Sequence, residues 1–396
     1  MDYESAIPLA DDMATKSVPQ PEGGGAELDR AARLLAAEPA ISLHDHPIRL
    51  PEPLTEGSWE AWRAQDREEL GYEGLRHSGL GGVFAGCNSW HGPEGIERWA
   101  LRMHADLIHE PGLFLAEDAE DLRDRKPPTD LPQEQPAGPD VGVFLALETV
   151  TPLAGNLRAI EHLRRLRFRM VGVTGDAGNA YGGGRHARED AGLTSLGREW
   201  VTLMNHHGLL IDLTHAGDRT SMDVIRVSQT PAVISHSGAR GVWPSPRMKP
   251  DTLLRALADT GGVIGIEATP GSTRSPAHPG HSILSVLDHL DYLLNLIGID
   301  HVGFGPNTFF GDYARLQAAR RHDRDYETPP EDQRTSAAGP AESAQEPIGC
   351  VDGLENPREN FRNLAGWLVE RGFSDEEVLK LLGRNALRVI ATARPS

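Results

Sequence analysis

Cysteine is nearly absent from this chain, which has 396 residues but only Cys87 and Cys350. The two cysteines show no paired spacing, and a chain of this length can build a core without disulfides. Long hydrophobic runs are missing as well, because no apolar stretch approaches the roughly 20 residues that a membrane-spanning helix needs. Neither a disulfide-stapled scaffold nor a helical membrane protein is therefore expected.

Positive charge is scarce: 39 basic residues stand against 58 acidic ones, for a formal net charge of −19. An acidic surface repels phosphate backbones and anionic lipid, so nucleic-acid and membrane partners are not expected. Residues 1–26 are rich in glycine, proline and acidic side chains and lack the apolar core of a secretory signal. We expect this segment to be a disordered extension of a cytoplasmic protein.

Eight short, mostly apolar segments bounded by turn residues recur along the chain, a pattern typical of parallel strands buried on both faces. They are predicted at 41–47, 82–88, 141–148, 169–174, 208–215, 231–236, 261–267 and 301–306. Helical patterns lie between most of them, at 95–109, 155–167, 194–206, 217–228, 250–259 and 282–297. His289, within the last of these, is expected to have a solvated side chain. This alternation favours an α/β fold, a closed (β/α)8 barrel of the TIM type, over an open sheet.

A single domain is expected over 27–391, with two amphipathic helices at its C-terminal end, 357–371 and 374–391. The segment 315–349, after the eighth strand, is polar, rich in proline and alanine, and without periodicity. Segments of this length without regular structure are usually functional or disordered, so this one is predicted to be a mobile loop.

Side chains that can bind metal stand at the C-terminal ends of four predicted strands: His44, His46, Glu148, His215 and His236. In a parallel barrel these strand ends converge on one mouth, so groups far apart in sequence become neighbours there. Imidazole suits zinc and similar metals, and a carboxylate can bridge two ions, so one or two divalent ions are predicted. A single histidine at a strand end is better interpreted as hydrogen-bonded to the backbone. The whole set at converging strand ends is better interpreted as a metal site.

Two further features border the predicted mouth. Arg247 follows the sixth strand, where its guanidinium could hold a substrate carboxylate or form a surface salt bridge. The glycine-rich stretch 175–184 is not followed by the Lys-Ser or Lys-Thr pair of a phosphate-binding loop, so we interpret it as a flexible loop of the pocket. Within this loop Gly175, Asn179 and Tyr181 are the candidates for substrate contact.

Four stretches carry a resemblance to a known family: 192–220 (GLTSLGREWVTLMNHHGLLIDLTHAGDRT), 231–242 (PAVISHSGARGV), 301–305 (HVGFG) and 381–390 (LLGRNALRVI). With the order of the other segments, they resemble the membrane (renal) dipeptidase family, peptidase family M19 of the amidohydrolase superfamily. The resemblance implies a barrel with two zinc ions that cleaves dipeptides, often as a homodimer. It also implies that His44, Glu148, His215 and His236 are metal ligands with Glu148 bridging, and that Arg247 contacts a substrate carboxylate.

The chain departs from the family pattern at three positions. His46 stands where the family has an aspartate, Gly175 follows Thr174 where the family has a substrate-contacting histidine, and Asn307 replaces an aspartate that carries a proton. An amide cannot accept and return a proton, so another group must carry it or the reaction has changed. Asp176 and, with less support from the spacing, Asp312 are the candidates for that role.

The leading hypothesis is a metal-dependent hydrolase with diverged specificity, acting on an amide bond of a small carboxylate-bearing substrate. Glu148, Asn307 and Asp176 are its predicted catalytic residues. One alternative keeps the metal but changes the chemistry to that of a lyase, isomerase or decarboxylase in a biosynthetic pathway; another is an inactive relative that only binds.

Overall fold

The computed structural model describes residues 25–50, 57–58, 69–87, 92–122, 140–311, 313–314, 316 and 350–395. Most of the predicted N-terminal extension, and nearly all of the predicted loop at 315–349, lie outside these residues. Asp312, a candidate proton carrier, lies outside them too.

Eight parallel strands follow one another around a sheet in the order in which they occur in the chain. They are β1 (Ile41–Asp45), β2 (Gly82–Cys87), β3 (Val141–Leu147), β4 (Phe168–Gly172), β5 (Leu210–Asp212), β6 (Val233–Ser237), β7 (Val263–Ile266) and β8 (Val302–Phe304). Leu113–Leu115 adds a ninth strand beside β3, and Ile48–Arg49 pairs with Glu69–Leu70 in a separate antiparallel ribbon. All eight predicted strands are confirmed, with ends that differ by a few residues.

The sheet closes where the chain leaves β1 and β8. The backbone N–H of Asn307 donates to the carbonyl of His44, and the N–H of His46 donates to the carbonyl of Thr308, each at 2.9 Å. Between these bonds the buried carboxylate of Asp45 accepts from the N–H of Thr308 at 2.9 Å and from its hydroxyl at 2.8 Å. The predicted TIM-type barrel is thus confirmed, and its closure sets the first and eighth strand ends side by side.

Helices alternate with the strands. They are α1 (Gly25–Ala37), α2 (Tyr72–Arg76), α3 (Gly92–His109), α4 (Arg158–Arg165), α5 (Ser195–His206), α6 (Asp218–Val227), α7 (Asp251–Asp259), α8 (Ile283–Ile297), α9 (Asn360–Glu370), α10 (Asp375–Leu379) and α11 (Asn385–Thr392). A π-helical turn, Lys380–Arg384, joins α10 to α11 without a break, so the helix predicted at 374–391 is present with one π-helical turn inside it. None of the helices in the described part of the chain is long and apolar enough to span a bilayer.

One apolar cluster fills the barrel at the end where the strands begin. It joins Ile41, Val233 and Val263, the first residues of their strands, to Leu387 and Ile390 of α11. Burial of such side chains stabilises the fold by roughly 1.5–3 kcal/mol each. This packing leaves the opposite end, where the strands finish, for polar side chains.

His289 of α8 corrects an expectation from the sequence, which favoured a solvated side chain on the helix. Its ring is fully buried. The Nδ1 atom accepts from the N–H of Ala239 at 3.0 Å, and Nε2 lies 2.9 Å from the carbonyl of Arg274. The ring therefore ties α8 to two loops, which periodicity in one helix cannot reveal.

Candidate metal centre

His44 and His46, at the end of β1, direct their rings into the mouth of the barrel and are both buried. Their Nε2 atoms lie 3.2 Å apart. The Oε1 atom of Glu148, which directly follows β3, lies 2.8 Å from Nε2 of His46 and 3.4 Å from Nε2 of His44. Three groups that could hold a metal ion thus have their ligand atoms within 4.8 Å of one another.

The remaining two predicted ligands continue this cluster. The ring of His236, in β6, stacks on the ring of His44 with centroids 4.0 Å apart. The ring of His215, three residues after β5, lies edge-on to that of His236 with centroids 5.3 Å apart. The structure therefore brings all five predicted ligands into one contiguous group.

Hydrogen bonds fix the tautomers of three of these rings. Nδ1 of His46 lies 3.2 Å from the carbonyl oxygen of Gly86, so it must carry the proton. Nδ1 of His215 lies 2.7 Å from Oδ1 of Asp176 and donates to it. In each ring Nδ1 is thus occupied and Nε2 is the nitrogen that could bind a metal, and this is the arrangement in which a second partner orients a metal-binding histidine.

His236 has an equivalent support. Its Nδ1 lies 2.9 Å from Oγ of Ser235, whose hydroxyl donates to Oδ2 of Asp212 at 2.6 Å. Because the serine proton is used on Asp212, Nδ1 of His236 must donate to the serine. Burial and the neighbouring His44 and His215 hold the pKa of His236 well below its usual range, so the ring is neutral.

Electrostatics also place Glu148 in the form that binds metal. Burial alone would raise the pKa of Glu148, but the imidazoles of His46 and His44 outweigh it and hold that pKa well below its usual range. Nε2 of His215 and Nδ1 of His44 are buried and have no hydrogen-bond partner among the described residues. Four imidazoles, one carboxylate and the orphaned ring nitrogens form a donor set that fits zinc or a similar divalent ion.

Asp176, predicted from the sequence as a possible proton carrier, has both oxygens engaged. Besides the bond to His215, its Oδ2 accepts from Nη2 of Arg185 at 2.8 Å. Burial opposes ionisation, but Arg185 and His215 hold the pKa of Asp176 well below its usual range. The contacts point to orientation of His215, and the sequence offered no sign of Arg185 as a partner.

Asn307 lies at the mouth, at the end of the eighth strand segment, with a backbone φ of 57°. Its Nδ2 donates to Oγ1 of Thr269 at 2.9 Å. The Asn307 side chain is thus held by Thr269 beside the predicted metal ligands, and an amide offers no titratable proton.

Arg247 does not present an open guanidinium. Its Nε donates to Oε1 of Glu267 at 2.6 Å, and its Nη2 donates to Oε2 of the same carboxylate. Glu267 directly follows β7 and is fully buried. It ends a predicted strand, but the sequence gave no reason to pair it with a residue 20 positions away.

The three loop residues predicted to contact substrate occupy different environments. The N–H of Gly175 donates to Oγ1 of Thr151 at 3.0 Å, and Nδ2 of Asn179 reaches the same oxygen at 3.2 Å. Tyr181 is fully buried and stacks on Trp200 with centroids 5.7 Å apart. Gly175 and Asn179 therefore shape the loop, and Tyr181 belongs to the core behind it.

Sequence comparison with known proteins also points to dipeptidases. The family model described as membrane dipeptidase (peptidase family M19) matches residues 28–314. The dipeptidase tcpJ of Claviceps purpurea (strain 20.1) is 27% identical over 199 residues, which is 50% of this chain and 38% of that protein. The matched region thus spans under half of that relative.

Solved structures share the fold. An amidohydrolase from Pseudomonas aeruginosa superposes with a TM-score of 0.69 at 23% identity, over 92% of this chain and 99% of that one. A metallopeptidase from Rhodobacter sphaeroides, liganded with a phosphinate mimic of the dipeptide L-Ala-D-Ala, gives 0.63 at 18% identity, over 90% and 99%. With the family model matched over most of its barrel, the chain belongs to the membrane dipeptidase family, peptidase family M19.

Proposed function

We propose that this protein hydrolyses an amide bond of a small, dipeptide-like substrate with one or two divalent ions, zinc first among them, and with a specificity that differs from that of its relatives. The observation that carries the proposal is the convergence of His44, His46, His215 and His236 with Glu148 at one end of the barrel. Family membership supports the same reaction class.

Each group has a role in this proposal. His44, His46, His215 and His236 would hold the metal, with Glu148 bridging if two ions bind. A bound divalent ion supplies Lewis-acid polarisation of the scissile carbonyl and lowers the pKa of water. Asp176 and Ser235 would keep His215 and His236 in the orientation that leaves Nε2 for the metal.

The test combines metal content with turnover. The full chain is loaded with zinc, its bound metal is measured by mass spectrometry, and release of alanine from L-Ala-D-Ala and L-Ala-L-Ala is followed. We expect bound zinc and zinc-dependent cleavage, both lost in His215→Ala. The matched control is His206→Ala, because His206 is exposed at the end of α5. Retention of zinc and activity in His215→Ala would contradict the proposal.

A second candidate function is favoured by Asn307. Its amide donates to Thr269 and cannot shuttle a proton, while Asp176 is engaged by His215 and Arg185. A metal-dependent lyase, isomerase or decarboxylase activates no water for attack on an amide, so it needs no water-activating aspartate here, and Asn307 would orient the substrate. Bound zinc without cleavage of any dipeptide would favour this candidate, or a relative that only binds its ligand.

The other expectations about the protein's surroundings stay predictions. A homodimer follows only from the family resemblance, and a cytoplasmic location is a prediction from composition alone. Sedimentation of the purified chain would test the first of these.

A further inference from the structure

The guanidinium of Arg247 is already bound to a carboxylate. Nε and Nη2 form the side-on edge of the group, and both donate to Glu267. This is the bidentate geometry in which an arginine holds the carboxylate of a ligand. Nη2 also donates to Oγ1 of Thr269 at 3.4 Å, which leaves Nη1 for a substrate.

The Glu267 side chain is buried in the side of the barrel mouth and has no access to solvent. Its side chain has an exposed fraction of 0%, and the hydroxyl of Thr269 donates to Oε2 at 2.9 Å. Burial opposes ionisation, but Arg247 outweighs it and holds the pKa of Glu267 below its usual range. Displacing this carboxylate from Arg247 would leave a buried charge without its partner, which is strongly unfavourable.

The charges around this pair are balanced. Arg185 is paired with Asp176 at 2.8 Å and lies close enough to lower the pKa of Glu267. Asp176 in turn raises the pKa of Arg247. The two guanidiniums and the two carboxylates therefore balance each other's charge.

We propose that Glu267 determines specificity by occupying Arg247, so that the substrate presents an uncharged carbonyl group there, such as a carboxamide, ester or lactam, in place of a free carboxylate. Such a carbonyl accepts one hydrogen bond from Nη1 of Arg247 and leaves the pair with Glu267 intact. This inference rests on the proposed function, because it names the substrate class of the same site.

The opposite role for Glu267 makes an opposite prediction. If Glu267 only held Arg247 in position for a substrate carboxylate, removing its charge would weaken the binding of free dipeptides. If Glu267 competes with that carboxylate, removing its charge strengthens their binding. The sign of the change distinguishes the two roles.

The first experiment uses the zinc-loaded wild-type chain. Calorimetric titration gives Kd for L-Ala-L-Ala and for its C-terminal carboxamide, and initial rates give KM and kcat wherever cleavage occurs. We expect the carboxamide to bind at least tenfold more tightly. Equal or tighter binding of the free acid would overturn the inference. Because binding is measured even without cleavage, a failure of the proposed function shows separately, as absence of turnover.

The second experiment uses Glu267→Gln, which keeps the shape of the side chain. Kd for L-Ala-L-Ala should fall at least tenfold, while Kd for the carboxamide changes less than about twofold. The matched control is Glu199→Gln, on the exposed face of α5, where neither value should change. An unchanged or higher Kd for the free dipeptide would overturn the inference, and if the variant fails to fold, the wild-type comparison still decides.

Discussion

Gly86 and His46 are in direct contact: the Gly86 carbonyl accepts from Nδ1 of His46 at 3.2 Å. A Cβ atom on residue 86 would lie 2.8 Å from Cε1 of His46 and 2.7 Å from Cε1 of His44. Because Gly86 of β2 has no side chain, both imidazoles fit against this strand.

We expect Gly86→Ala to displace these two rings and to weaken zinc binding at least tenfold. Overpacking of a buried site also costs about 1–3 kcal/mol of stability. Equilibrium dialysis against zinc, with thermal unfolding alongside, measures both effects. Gly280→Ala is the control, since nothing lies within 4 Å of its Cβ position. Wild-type zinc affinity in Gly86→Ala would contradict the geometry.

Asp176→Asn tests whether this carboxylate orients His215 or carries a proton. If it orients the ring, as the 2.7 Å contact indicates, zinc affinity should fall roughly 10–100-fold. If it carries a proton, zinc should stay bound while kcat collapses. Dialysis and single-turnover kinetics separate the two results, with Asp259→Asn, which is exposed at the end of α7, as the control.

Asn307→Asp restores the carboxylate that the family pattern has at this position. The left-handed φ of 57° suits aspartate as well as asparagine, so the fold should tolerate the change. A positioned acid–base group contributes roughly 10²–10⁴-fold, and we expect kcat for L-Ala-D-Ala to rise at least tenfold. Activity that appears only in the variant would favour the lyase-type candidate for the wild type.

Lys249 provides a prediction on pH that does not depend on metal. Its Nζ donates to the carbonyls of Leu213 and Ala216, which flank His215, at 2.9 and 3.0 Å. Burial lowers the pKa of Lys249 from 10.5 to about 7. Between these values the unfolded chain binds more protons than the folded one, so the free energy of unfolding rises with pH.

Compared with Lys249→Met, the wild type should therefore gain a few kcal/mol of stability between about pH 7 and pH 10, at roughly 1.4 kcal/mol per pKa unit. Urea unfolding of both proteins across that range measures the difference. A difference that stays constant with pH would show that the buried amine remains charged.

The barrel could be predicted from the sequence because most of its strands are nearly continuous apolar runs with a polar residue at or just beyond the end. The same pattern located His44, His46, Glu148, His215 and His236, since strand ends must meet at one mouth. Their role as ligands stays a prediction, but their proximity follows from topology alone.

Pairings between loops could not be predicted in this way. The contacts of Glu267 with Arg247 and of Asp176 with Arg185 join segments whose relative positions depend on turn geometry. Periodicity also misjudged His289 of α8, because a helix packed on more than one side buries polar positions too. The sequence shows which residues could form such pairs, but only a three-dimensional structure shows which of them meet.

The central claim, that four imidazoles and one carboxylate share a divalent ion, is tested most directly by anomalous diffraction at the zinc edge from crystals of the zinc-loaded protein. We predict an anomalous peak at bonding distance, roughly 2.0–2.2 Å, from ring nitrogens of His44, His46, His215 or His236 and from Glu148. Crystals whose bound zinc lies only elsewhere, with these five groups unliganded, would contradict the account.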